Sequence, residues 1–127
     1  MVKSKRNDRI LALKYCYSQE FGGSELSPHD FIDHFQYKPK KLFFSIAEEF
    51  NLKKNEIEDL IKPHISHWKW DRVYSIDKVL LLIALAESRV FPKKSKNIII
   101  NEYLDISKEF STKESSKFIN GILDKVI

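Results

Sequence analysis

Five cations fall within the first fourteen residues: Lys3, Lys5, Arg6, Arg9 and Lys14, opposed only by Asp8. That segment carries +4, which is the formal net charge of the whole 127-residue chain, so the remainder is neutral. On a helix, Lys5 and Arg9 are i, i+4 neighbours, and Arg6 and Arg9 are i, i+3 neighbours. A helix beginning this early makes one positive ridge of the three. Such a ridge neutralises phosphates and releases counterions, which suits a polyanion, nucleic acid first. It gives affinity without choosing a sequence. A solvated basic terminus that aids solubility is the plain alternative, and charge alone leaves both open.

Other chemistries find less support. The sequence has no glycine-rich phosphate loop, no G-x-S-x-G and no C-x-x-C. His64 and His67 share a helix face at i, i+3, and His29 stands near Asp30 and Asp33. A metal site needs three or four converging ligands, so these read as surface histidines. Cys16, the one cysteine, reads as a buried structural thiol and fits a reducing cytoplasm. The carboxylates Glu48, Glu49, Glu56, Glu58 and Asp59 sit on polar helix faces. Trp68-Lys69-Trp70-Asp71-Arg72 interleaves aromatics with charge, a pattern that packs helices or stacks on unpaired bases. No catalytic, metal or cofactor site is expected, and the chain does not read as an enzyme.

The elements that must position the cations are helices. Hydrophobic residues make up 43% and charged residues 31%, a balance that excludes disorder, and three glycines and four prolines are too few for a many-stranded β protein. Six or seven helices are expected. The first covers about 7–20, with Ile10, Leu13, Tyr17 and Phe21 as its apolar stripe and Gly22-Gly23 as its stop. Ser27-Pro28 opens a short second helix around Phe31 and Phe35. The third covers about 41–50. The fourth covers about 56–68, capped by Asn55 and interrupted by Pro63. The fifth, about 76–90, is apolar all round from Val79 to Ala86 and must be central. The sixth covers about 96–110. Ser111-Thr112-Lys113-Glu114 reads as a capping box for the last, in which Gly121 suggests close approach of a neighbouring helix. Eight apolar residues in a row are far short of the ~20 that span a bilayer, and no secretory leader is expected at the basic start.

The C-terminal half resembles the NusB family. The resemblance rests on Asp71-Arg72-Val73, the run Ile76 to Glu87, Ile99-Ile100-Asn101-Glu102 and Ser107-Lys108-Glu109-Phe110. Above all it rests on Ser115-Ser116-Lys117-Phe118-Ile119-Asn120-Gly121-Ile122-Leu123-Asp124. Arg9-Ile10-Leu11-Ala12-Leu13 and Tyr17-Ser18-Gln19-Glu20 are similar to the family's first helix. Clear similarity covers roughly residues 57–127, and the stretch 22–56 matches only in its helical character.

The resemblance implies an all-α fold of about seven helices in two packed three-helix subdomains, with residues 1–127 as one RNA-binding domain. It implies a cytoplasmic transcription antitermination factor that binds boxA RNA together with NusE, the ribosomal small-subunit protein. RNA polymerase and other Nus factors are indirect partners, and self-association is within its reach; no cofactor takes part. Carried over residue by residue, Lys5, Arg6, Arg9, Tyr17, Ser116, Lys117 and Phe118 face RNA, and Asp77 and Glu87 face the protein partner. Phe118 is readable as core or as a base-stacking ring, because Ile122 lies at i+4. The chain departs from the family at Leu82, where an arginine is usual, at Ala86, where an aromatic is usual, and in its thinned N-terminal basic run. A protein-interaction module of the same fold with lost RNA binding is the alternative.

Overall fold

The computed structural model describes residues 2–65 and 70–127, and among them every regular element is helical. Six α-helices follow in order: α1 (Val2–Phe21), α2 (Pro28–Ile32), α3 (Lys41–Ile61), α4 (Ser75–Val90), α5 (Lys96–Phe110) and α6 (Lys113–Val126). Short 3-10 turns occupy Lys62–His64 and Trp70–Arg72. None of the described helices is long and apolar enough to cross a membrane.

The helices form two groups of three, α1–α3 and α4–α6, joined where α1 and α3 pack on α4. As its composition demands, α4 is the central helix: Val79 to Ala86 are all at most 3% exposed. Leu82 and Ala86, the two departures from the family pattern, lie in that core and not on a surface.

Four expectations are corrected. The third and fourth helices are one, α3, bent at Lys53, whose φ −126 and ψ 15 depart from helical values. Phe50, Ile57 and Ile61 stay on one buried face because seven residues make about two turns. Asn55 is therefore interior to the helix and caps nothing. Pro63 then ends the helix, falling in the 3-10 turn where a missing N–H is tolerated. Trp68 and His67, expected in that helix, lie outside the described residues. On α1 Leu13 is buried as expected, together with Asp8, Arg9, Leu11, Ala12, Tyr15 and Cys16, while Tyr17 and Phe21 are 37% and 42% exposed. A helix wedged between α3 and α4 buries more than one stripe. The cap of α6 is Thr112, whose Oγ1 accepts from the Ser115 amide at 3.1 Å, and Ser111 is free to donate to Asp77 Oδ1 at 2.7 Å.

Other local signals place their features as expected. Ser27 caps α2 by accepting from the Asp30 amide at 3.1 Å, with Pro28 first in the helix. Gly23 takes φ +69, which lets the Ser24 amide reach back to the Ser18 carbonyl at 3.1 Å. Cys16 is fully buried, and burial pushes its thiol well up.

The last correction is Gly121. A Cβ built there meets nothing within 4 Å among the described residues, so none of the described helices approaches it closely. Gly121→Ala is expected to stabilise the fold by about 1 kcal/mol through helix propensity alone. A thermal melt should rise by about 3 °C. A fall would reveal a close neighbour of α6 outside the described residues.

Candidate nucleic-acid interface

The largest surprise on α1 is Arg9, which is 2% exposed. Its Nε and Nη2 donate to the two oxygens of Glu87 at 2.9 and 2.8 Å. Glu87, itself 0% exposed, also accepts from Lys94 Nζ at 2.9 Å and from the Tyr103 hydroxyl at 2.7 Å. Arg9 Nη1 stands 3.6 Å from Glu102, and its guanidinium lies over the Tyr103 ring at 5.8 Å. Burial pushes the Glu87 carboxyl up, but the hydrogen bonds and charge of Arg9, helped by Lys94 and Tyr103, outweigh it and hold the group below its ordinary 4.5. Burial alone lowers Arg9; Glu87 more than reverses that. Burial pushes the Tyr103 hydroxyl well up, and the Glu87 charge adds to it.

Two expectations change here. Arg9 does not share an exposed ridge with Lys5 and Arg6, because its fork is consumed by a buried carboxylate. Glu87, expected on the partner-facing side, is that carboxylate and has no exposed surface in this fold. A buried ion pair of this bidentate form locks α1 to α4 and is costly to break.

What remains of the ridge is Lys5, which is exposed, and Arg6, whose Nη2 donates to Glu109 Oε2 at 2.9 Å. Arg6 and Glu109 are 32% and 55% exposed in their side chains, so this pair is weak and solvated. It brings the basic start of α1 to the end of α5. Ser116 on α6 reaches the same end of α5, its Oγ 2.8 Å from Ser107 Oγ. Lys117 is exposed. Tyr17 sits at the other end of α1, tilted on Phe21 with ring centroids 5.2 Å apart and its hydroxyl 3.4 Å from Ser75 Oγ.

Asp77 and Phe118 meet in one place. A cavity of about 310 Å³ opens between the 72–77 segment and the start of α6, lined among others by Arg72, Tyr74, Asp77, Ser115 and Phe118. Asp77 is 3% exposed, accepts from Ser111 and lines this cavity. Phe118 does both things the sequence left open: it packs against the core and lines the cavity. Tyr74, at 66% exposure, was not singled out by its pattern.

A second group was missed. Asp8, 1% exposed, holds the segment before α3 against α1. Its Oδ2 accepts from the amides of Lys40 and Phe43 at 3.1 and 3.2 Å, and its Oδ1 accepts from the Tyr37 hydroxyl at 2.5 Å. The same hydroxyl lies 3.0 Å from the Ser4 carbonyl. The run Lys38-Pro39-Lys40-Lys41 is thereby placed beside the start of α1, with all three lysines exposed. Three lysines in four residues was the available signal; nothing in it told which part of the chain they join.

Elsewhere, His29 stacks on Phe44 at 4.5 Å and His64 lies in the 3-10 turn after α3. Trp70 flanks Lys78 with Phe21, at 5.5 and 5.8 Å from Nζ, which makes it a packing tryptophan.

A model of the NusB family matches residues 6–127, which reaches across the 22–56 stretch where sequence reading found only helical character. The transcription antitermination protein NusB of Koribacter versatilis (strain Ellin345) is 43% identical, over 97% of this chain and 88% of that protein. The protein of the same name from Bdellovibrio bacteriovorus (strain ATCC 15356 / DSM 50701 / NCIMB 9529 / HD100) is 33% identical, over 98% and 96%. The solved structure of T. maritima NusB superposes with a TM-score of 0.82 at 24% identity, covering 96% of this chain and 89% of that one, and so shares the fold.

Proposed function

The chain belongs to the NusB family, whose named relatives are transcription antitermination proteins, and on that premise we propose that it binds boxA-type single-stranded RNA together with NusE, in the cytoplasm, to keep RNA polymerase from terminating early. The observation that carries this reading is the exposed Lys5 beside the half-buried Arg6 at the corner where α1 meets the end of α5, with the exposed Lys117 on α6. Cations on a solvated corner exchange a weak ion pair for phosphate at little cost. Phe118, on α6 with Ser116, which contacts Ser107 of α5, offers a ring for a splayed base, worth about 1–3 kcal/mol. Asp77, reached through the same cavity, is the acidic group that a protein partner would meet, so RNA and NusE meet along this seam. Tyr17 belongs to the α1–α4 end of the surface.

A protein adaptor without RNA binding is the second reading, favoured by the withdrawal of Arg9 into the core. Fluorescence anisotropy of a labelled boxA-like RNA, with and without NusE of the same organism at two salt concentrations, separates the two. Binding should tighten with NusE and weaken with salt at a logarithmic slope of about −2 to −3.5, as three to five single-strand phosphates require. NusE bound with RNA left free would establish the adaptor.

A further inference from the structure

We propose that Lys38, Lys40 and Lys41 form a second phosphate-contact surface continuous with Lys5 and Arg6, so that a single-stranded RNA crosses from the start of α1 to the start of α3. The inference rests on the RNA reading and adds to it the path the strand takes.

Position comes first. The Tyr37 hydroxyl bonds the Ser4 carbonyl and Asp8, so the residues adjacent to that contact, Lys38 and Lys5, stand on neighbouring parts of one surface. Asp8 fixes the Lys40 amide and the first turn of α3 in the same way. The three lysines are thus carried by a pinned segment and not by a loose one.

Charge comes second. Lys5, Lys40 and Lys41 have no carboxylate paired with them among the described residues, and Lys38 makes only a long contact to the Phe35 carbonyl at 3.4 Å. Between Asp33 and Glu48 the sequence holds no acidic residue. Asp8, the carboxylate that anchors this segment, is buried and already holds three donors, and Glu109 pairs with Arg6.

Stability offers no reason for this arrangement, which is the third point. Lysines at a helix N-terminus oppose the helix dipole, and the first turn of α3 contains no acidic residue to balance them. Lys40 is the N-cap residue and makes no side-chain cap bond; Asp8 caps the helix in its place. A local choice that works against folding, repeated three times on an exposed surface, points to binding. The withdrawal of Arg9 leaves the α1 corner with few cations, and this group supplies the rest.

The test compares three triple variants in the same anisotropy titration, with NusE present. In K38Q/K40Q/K41Q the affinity should fall tenfold to a hundredfold, and the salt slope should shrink by about 2, near 0.7 for each lost phosphate contact. K62Q/K93Q/K125Q removes the same charge from exposed lysines elsewhere and should change affinity less than threefold. K38R/K40R/K41R should retain binding, and circular dichroism should show unchanged helix content in all three. Equal losses in the two glutamine variants would overturn the proposal, leaving only a net-charge effect. So would loss of NusE affinity with RNA affinity intact, which would make the lysines a protein contact. Unaltered protein that binds no RNA at all would instead sink the RNA reading, and this inference with it.

Discussion

Arg9→Met is expected to lower the unfolding free energy by about 3–5 kcal/mol, the usual consequence of stripping one partner from a buried ion pair. In this chain the stranded group is Glu87, which is wholly buried and would keep only Lys94 and Tyr103. A chain of this size should lose about 10 °C or more of melting temperature. R9M/E87Q should recover a large part of the loss, because glutamine leaves no stranded charge and still accepts from Tyr103. Urea unfolding of the two single variants and the double one closes the cycle. A cost below about 1 kcal/mol in R9M, joined to a tenfold loss of RNA affinity, would return Arg9 to the surface ridge that its spacing suggested.

The pair also sets an acid limit. Glu87 is held below its ordinary 4.5, so folding favours the ionised form. Its contribution is complete above that value and disappears as pH falls through the lower folded value. In R9M the burial that pushes the carboxyl up is no longer outweighed in the same way. This part of the acid-side loss should shrink, and stability measured against pH below about 5 should fall less steeply than in the unaltered protein.

The failure to foresee this has a physical origin. Spacing of i, i+3 and i, i+4 says that cations share a side of α1, but not whether that side meets water or another helix. The better clue was in the burial pattern: Arg9, Leu13 and Cys16 recur at steps of four and three, and all three are buried. In contrast, α4 was legible outright, because eight apolar residues in succession admit only a central place. Local signals also served at Ser27-Pro28 and Gly23, where a cap and a left-handed residue are settled within a few neighbours. The single-residue shift of the α6 cap, from Ser111 to Thr112, was not legible. It depends on Asp77, thirty-four residues away in sequence, engaging Ser111. The lysine run and the cavity share that property: both are made by chain segments that only the fold brings together.

Asp8→Ala is expected to cost about 3 kcal/mol, because it leaves the Lys40 and Phe43 amides and the Tyr37 hydroxyl without their shared acceptor. Asp8→Asn should lose less, about 1–2 kcal/mol, since one acceptor oxygen survives while an NH2 group faces a donor. Hydrogen exchange locates the effect: the Phe43 amide should lose protection beyond the global change, while amides within α4 should follow the global change only. The Tyr37 hydroxyl adds an alkaline counterpart. Burial, and then the hydrogen bond and charge of Asp8, push it up to about 12. The stability it contributes is therefore present below its ordinary 10.0 and lost as pH rises toward 12, a slope that Tyr37→Phe should remove. If D8A cost under 1 kcal/mol with Phe43 still protected, water or another group would be capping α3, and the segment bearing Lys38, Lys40 and Lys41 would lack its anchor. If D8A costs what two buried amides and a hydroxyl require, a single carboxylate inside the basic start of the chain is what sets that segment beside Lys5. The one acid among five cations then serves the charged surface by positioning it and not by neutralising it.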